Sequence, residues 1–215
     1  MEKGNSFMRT KPVFSLLVSM SVPMMLSMLI QSLYNIVDSI YVSRLGTGAL
    51  TAVSLAYPLQ NAIVSVGVGI GVGISSAISI HLGAGDQEKA DRAATLGVVL
   101  SVFHCILFIL AGIFVTRPFL SLFTSDPAIL KDACDYTYIV LCLSFGALLQ
   151  LAFEKIFQGI GKMKITMYLL IVGCVINIIL DPILIFGLLG FPALGVAGAA
   201  IATVIGQICA FLLYV

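Results

Sequence analysis

Charge is scarce in this chain: Asp, Glu, Lys and Arg make up 10% of its 215 residues, against about 25% in an ordinary soluble domain. A water-exposed surface needs more charge than that, so a soluble globular fold is excluded. The net charge of +1 leaves no basic surplus to meet a phosphate backbone, and nucleic acid is not a partner. Cysteine spacing is equally uninformative of chemistry. Cys105, Cys134, Cys142, Cys174 and Cys209 are scattered through apolar segments with no C-x-x-C pair, which argues against a zinc site or a disulfide framework and makes them small buried hydrophobes. The first apolar run has no A-x-A cleavage pattern and is too long for a removable signal peptide, so it is expected to stay in the mature protein. The alternation of membrane barrel strands is missing, and no G-x-G-x-x-G or P-loop lysine accompanies the glycines.

What the chain has is apolar length. Hydrophobic residues form 60% of it and the mean hydropathy is +1.14. About 20 apolar residues cross a bilayer as a helix, and six runs reach that scale. The expected fold class is all-α integral membrane, a six-transmembrane-helix bundle over residues 13–215 behind a cytoplasmic tail, residues 1–12. Helices are expected at about 13–42, 50–80, 93–116, 136–155, 165–187 and 196–215. The most polar stretch, Gly83 to Arg92, reads as a surface loop in which Asp86 caps a short helix. Ser121 to Asp135 reads as an outer connection, Arg117-Pro118 as the end of the third helix, and Glu154 to Lys164 as another loop. Gly67, Gly69, Gly71 and Gly73 form overlapping G-x-x-x-G pairs that suit close helix packing, as do Gly198, Ala202 and Gly206. With the N-terminus inside, eight Lys and Arg fall on the inner side and Arg44, Arg117 and Lys131 outside, which puts both ends of the chain in the cytoplasm and the bundle in the cell membrane.

Against this apolar background the polar residues at depth stand out. Asp181 lies well inside the run Ile165 to Leu189, and a carboxylate there costs roughly 2.5–3.5 kcal/mol on insertion scales unless it faces protein or a wet cavity. Gly173, Asn177 and Asp181 are spaced by four and share one helical face. Pro182 has no N–H, so the Ile178 carbonyl loses its helical donor beside the acid. In the first helix Ser27, Gln31, Asn35 and Asp38 step by four, four and three, another polar face. Counted along the helices at about 1.5 Å per residue, Asp38, Asp181 and Thr203 all fall in the outer half of the bilayer, where three helices can bring oxygen ligands to one level. For Asn177, Gln31 and Asn35 the plainer alternative is hydrogen bonding between helices. His104 is either a proton relay or a hydrogen-bonded core residue.

A family resemblance rests on these residues together. Pro23 followed by Gln31-Ser-Leu-Tyr-Asn-Ile-Val-Asp38, Arg44-Leu-Gly46, Leu82-Gly-Ala-Gly85, Phe157-Gln-Gly-Ile-Gly161, Asn177-Ile-Ile-Leu-Asp181-Pro182 and Gly195-Val-Ala-Gly-Ala-Ala-Ile-Ala-Thr203 resemble the N-terminal half of a multidrug and toxic compound extrusion (MATE) transporter. The resemblance implies twelve helices in two six-helix lobes, no enzymatic activity, no cofactor, and export of organic cations in exchange for Na+ or H+. It also implies a cation site made of Asp38, Asn177, Asp181 and Thr203, beside a cavity lined by Gln31, Tyr34 and Asn35. Only one lobe is present, so the C-terminal six-helix lobe is an expected partner. A lipid or polysaccharide flippase of the same superfamily would favour Lys and Arg inside the membrane, and the sequence reading finds none there. An intramembrane aspartyl protease would resemble Y-D and G-x-G-D, whereas Val37 precedes Asp38 and Leu180 precedes Asp181.

Overall fold

The computed structural model describes residues 12–215; residues 1–11 of the expected cytoplasmic tail lie outside the described residues. These fold into α1 (Val13–Ser43), α2 (Thr47–Gly83), α3 (Gln87–Leu120), α4 (Pro127–Cys142), α5 (Phe145–Gly159), α6 (Met163–Phe186) and α7 (Val196–Tyr214), with a 3-10 turn at Leu188–Gly190. There is no strand among the described residues. Five of the helices are each long and apolar enough to cross a membrane, and α4 with α5, bent by 46°, complete a sixth crossing. The all-α six-crossing bundle is therefore what the chain builds. On α1, Leu29, Leu33 and Ile36 are each more than half exposed, a surface that suits lipid rather than water.

Three boundaries differ from expectation. α2 and α3 run for 37 and 34 residues, about 50 Å or more at 1.5 Å per residue, and so project beyond a ~30 Å hydrocarbon layer. The surface loop expected at 83–92 shrinks to a turn because Asp86 caps α3 itself. Its carboxylate accepts from the Lys89 N–H at 3.1 Å and pairs with the Lys89 ammonium at 2.7 Å, and these contacts hold the Asp86 carboxyl below the usual carboxylate range. Glu88 to Arg92 and Gln87 to Asp91 add pairs one turn apart that support a helix in water. At its other end α3 continues through Pro118 to Leu120.

The largest difference is the fourth crossing. In place of one helix over 136–155, α4 starts at Pro127, where Asp126 caps it by accepting from Ala128 N–H at 2.8 Å and Ile129 N–H at 3.3 Å. Proline at the first helical position costs nothing there, since that N–H has no helical partner. The helix then breaks. Ser144 N–H bonds Leu141 O and Gly146 N–H bonds Leu143 O, each three residues back, so the register tightens and the axis turns. No proline marks this break, which is why the apolar pattern reads straight through it.

The two bundle ends are fixed by side-chain contacts. At one end the Tyr41 and Phe186 rings meet edge to face at 6.4 Å, joining the end of α1 to that of α6. At the opposite end Phe157 and Tyr214 meet at 5.3 Å, and Ser79 Oγ donates to Gly159 O at 3.0 Å. The closest helix approach is α6 against α7. After α6 stops at Gly187 (φ 72°), Leu194 and Gly195 N–H return to Leu184 O and Ile185 O at 2.9 and 3.2 Å, satisfying carbonyls at the helix end. α7 then lies so near that a Cβ on Gly198 would stand 2.6 Å from Leu184 O, and one on Gly206 would stand 2.9 Å from Gly173 O. Of the alternating glycines in α2, Gly67 and Gly71 take Leu151 and Lys155 of α5, whereas Gly69 and Gly73 meet nothing within 4 Å. The run packs one face and stays helical throughout.

A stability prediction follows from that contrast. Gly198→Val forces backbone apart at a point with no flexible neighbour, and overpacking of this kind costs about 1–3 kcal/mol or more. Gly69→Ala meets open space and gains helix propensity. Thermal unfolding in detergent, followed by helical circular dichroism, should show a clear drop for the first and none for the second. Equal midpoints would contradict the packing described.

Candidate cation site and cavity

Asp38 stands five residues before the end of α1 and Asp181 five before the end of α6. Because these two ends are held together by Tyr41 and Phe186, the acids come to the same level, and their carboxyl groups lie within reach of a shared proton. Asp181 is completely buried and Asp38 nearly so, at 0% and 9% exposure. One turn earlier on α6, Asn177 donates through Nδ2 to Thr203 Oγ1 of α7 at 3.3 Å. The Tyr34 hydroxyl of α1 lies 3.4 Å from the same Thr203 oxygen. The tight turn after α6 makes this meeting unavoidable, since it returns α7 directly alongside and places Thr203 opposite Asn177.

These hydrogen bonds leave much of the oxygen unused. Asp38 Oδ1, Asn177 Oδ1 and both Asp181 oxygens are buried with no hydrogen-bond partner. Buried polar atoms are nearly always satisfied, and leaving one bare costs about 1–3 kcal/mol, more for a charged group. Converging oxygens from two carboxylates and an amide, with the Thr203 hydroxyl beside them, suit a hard cation or a proton. A Na+ ion or a proton therefore fits the residues present. No group of three or more His, Cys, Asp or Glu that could hold a metal occurs among the described residues.

Two neighbours escaped the sequence reading. Tyr136 of α4 is 1% exposed and donates its hydroxyl to Gln60 Oε1 of α2 at 3.3 Å, and it lies close enough to feel both Asp38 and Asp181. The signal for Gln60 was an amide within an otherwise uncharged apolar run. Tyr136 gave no signal of its own, because it was taken as the first residue of a helix that in fact begins nine residues earlier.

Beside the acids lies a cavity of about 200 Å³ bounded by α1, α2, α5, α6 and α7. Gln31 and Tyr34 line it, with Ser27, Asn177 and Thr203. Asn35 is not in its wall; like Gln31 it is exposed on this lobe. The residues of α1 along the cavity and at the acid pair are Ser27, Gln31, Tyr34 and Asp38, stepping by four, three and four. His104 bonds its own helix, with Nδ1 2.8 Å from Leu100 O, and is not in the cavity wall; it is half-buried rather than a core residue.

A further correction concerns charge. Glu154 and Lys155, expected in a loop, are on α5 and line the cavity, and their side chains are only 11% and 13% exposed. The break at Ser144 sets α5 later in the sequence, and the connection to α6 shortens to Ile160, Gly161 and Lys162. The interior of the bundle thus does contain a lysine, paired with a carboxylate at 3.1 Å.

The MatE family profile matches residues 23–183. The chain is 36% identical over 195 residues to the probable multidrug resistance protein YoeA of Bacillus subtilis, covering 89% of this chain and 42% of that one. It is 29% identical over 204 residues to the multidrug export protein MepA of Staphylococcus saprophyticus, covering 94% and 44%. Its fold is similar to a MOP superfamily transporter from Pyrococcus furiosus, with a TM-score of 0.92 and 33% identity over 100% of this chain and 46% of that one. The chain spans about half the length of the relatives it matches. Six crossings, an acid pair at one level and a profile match over most of the chain agree: it belongs to the MatE family of membrane transporters.

Proposed function

We propose that the chain is the N-terminal lobe of a cation-coupled antiporter that exports organic cations from the cell in exchange for Na+ or H+, with Asp38, Asn177, Asp181 and Thr203 holding the coupling ion. One observation carries this reading: the buried oxygens of Asp38, Asn177 and Asp181 that have no partner. A bare carboxylate pair in a low-dielectric interior must take up a proton or a cation, and that uptake is the event an antiporter couples to movement. The substrate is carried at the interface with a second six-helix lobe, because a transporter of paired repeats works by moving one against the other around the site between them. Both ends of this chain lie in the cytoplasm on this reading. Moving Lys155 into the bundle leaves the excess of Lys and Arg on that side intact. A flippase reading is not supported by that lysine, since Glu154 neutralises it.

The test compares the lobe with its complete carrier. The 215-residue chain in liposomes gives no dye transport under an imposed Na+ or H+ gradient, and adding the second lobe restores it. Gradient-driven transport by the monomeric chain would refute the two-lobe reading, and failure of the complete carrier to move any cationic dye would refute the substrate class.

A further inference from the structure

Most of the polar wall of the cavity is accounted for by the acid pair and its neighbours; the end toward Phe157 and Tyr214 is not. There Glu154, Lys155 and Gln158 form a closed cluster. Gln158 Nε2 donates to Glu154 Oε1 at 2.7 Å, Lys155 Nζ donates to the same Oε1 at 3.1 Å, and Lys155 Nζ also donates to Gln158 Oε1 at 3.0 Å. The lysine stem lies against α2 where only glycine allows it, since a Cβ on Gly71 would stand 2.4 Å from Lys155 Cγ. A charged pair buried in the bundle costs desolvation, and an apolar pair at these two positions would not carry that cost. Packing alone gives no reason for it.

The bonding is lopsided. Both donors use Oε1, and no hydrogen bond to Glu154 Oε2 is present among the described residues. Oε2 is also absent from the fully enclosed orphan oxygens, so it remains reachable from the cavity that Glu154 lines. At the other end of the same cavity stand Asn177, Thr203 and Tyr34, which bond one another beside the acid pair. The pair itself is shut from its own end of the bundle, with Asp181 at 0% exposure and Tyr136 and Gln60 bonded across α4 and α2. Between the two ends the wall offers Gln31, Gln150 and Gln207, groups that can hold a line of water.

We propose that Glu154 is a second proton-exchanging residue of this lobe, passing protons between the Asp38–Asp181 pair and the side of the membrane on which α5 ends, along the cavity that joins them. Rested on the coupling role given above, the step is a simple relay: Glu154 Oε2 accepts a proton from one side and releases it to cavity water on the other, with no bond made or broken beyond O–H. Lys155 keeps Oε1 occupied while Oε2 changes state. The other groups facing Glu154 are Gln158 on its own helix and Tyr214 from α7, whose hydroxyl donates to Thr166 O at 3.4 Å. α6 adds Cys174 and α1 Tyr34 to the cavity wall, α2 adds only Val64 and Val68, and α3 and α4 add none.

The experiment is infrared difference spectroscopy on the 215-residue chain in lipid after a pH jump, reading the carboxylic C=O bands. The bands that vanish in Asp38→Asn/Asp181→Asn belong to the pair. In Glu154→Gln/Lys155→Met, which removes both charges and leaves no unpaired lysine, those bands keep their amplitude but rise slower by about tenfold or more, the effect of losing a positioned proton donor. Lys155→Met alone, which retains the carboxylate, keeps the wild-type rate within about twofold. Helical circular dichroism confirms that each variant folds; should the double variant unfold, Glu154→Gln alone carries the comparison. An unchanged rate with the pair's bands present overturns the role of Glu154 only. Bands unaltered in Asp38→Asn/Asp181→Asn overturn the coupling role of the pair itself.

Discussion

Asp181→Asn is expected to reduce coupled efflux of a cationic dye by the complete transporter to the background of cells without it, and Asp38→Asn to do the same. Asn matches Asp in size and retains one oxygen, so the helix contact survives while the charge that draws an ion is removed. The site tolerates the change structurally because the Asp38 carboxyl that Asp181 faces can still accept from an Asn amide, and the bond from Asn177 to Thr203 does not involve Asp181. Removing a buried bare carboxylate should if anything raise stability, since its desolvation is a cost that only the bound ion offsets. Function and stability are therefore expected to move in opposite directions, an outcome that a purely structural aspartate would not give. Glu88→Gln, in the exposed first turn of α3, serves as the control within the lobe. Dye efflux is read in cells at matched protein level, and thermal stability in detergent. Wild-type efflux by Asp181→Asn would end the coupling role.

The parts of this site that were legible in the sequence are those whose cost is large and local. A carboxylate among twenty apolar residues is conspicuous whatever surrounds it, and Asp38 and Asp181 needed only a residue count to be placed at one level. Asn177 and Thr203 followed from helical spacing and the short turn. What the sequence obscured depended on rotation and on breaks. Asn35 has the polarity of a cavity residue and the spacing of its neighbours, yet one residue of helical phase separates it from Tyr34 and leaves it off the wall of this cavity. Glu154 and Lys155 were assigned to a loop because a charged pair after an apolar run ordinarily marks the membrane surface. The break at Ser144, made by backbone bonds three residues apart and marked by no proline, moved α5 and carried both charges inside. Gln60 and Tyr136 become meaningful only when α2 and α4 are placed side by side, which no local pattern specifies.

Sodium and protons are expected to compete for the acid pair, and the isolated lobe is sufficient to test it. The site has two carboxylates, the Asn177 carbonyl oxygen and the Thr203 hydroxyl within one buried group, and the Ile178 carbonyl left without a helical donor by Pro182 is close by in sequence. With both acids ionised the pair attracts a monovalent cation; with one protonated the attraction is halved, and with both it is gone. Sodium affinity must therefore fall as pH falls. Linkage sets the size of the effect: the affinity changes by about tenfold per pH unit where each ion displaces one proton, and about a hundredfold where it displaces two. By the same reciprocity, adding Na+ at constant pH releases protons to the solution, in the number given by that slope. Calorimetric titration of Na+ into the detergent-solubilised chain at several pH values supplies the affinities, and a pH indicator in weak buffer supplies the protons released. The two numbers must agree. Replacing Thr203 by Ala removes a neutral oxygen and lowers Na+ affinity without altering the slope, whereas Asp38→Asn leaves at most one proton to displace. A sodium affinity independent of pH would refute competition. Proton binding with no heat of Na+ binding at any pH would identify the pair as a site for protons alone, and the lobe as one half of a proton-driven carrier.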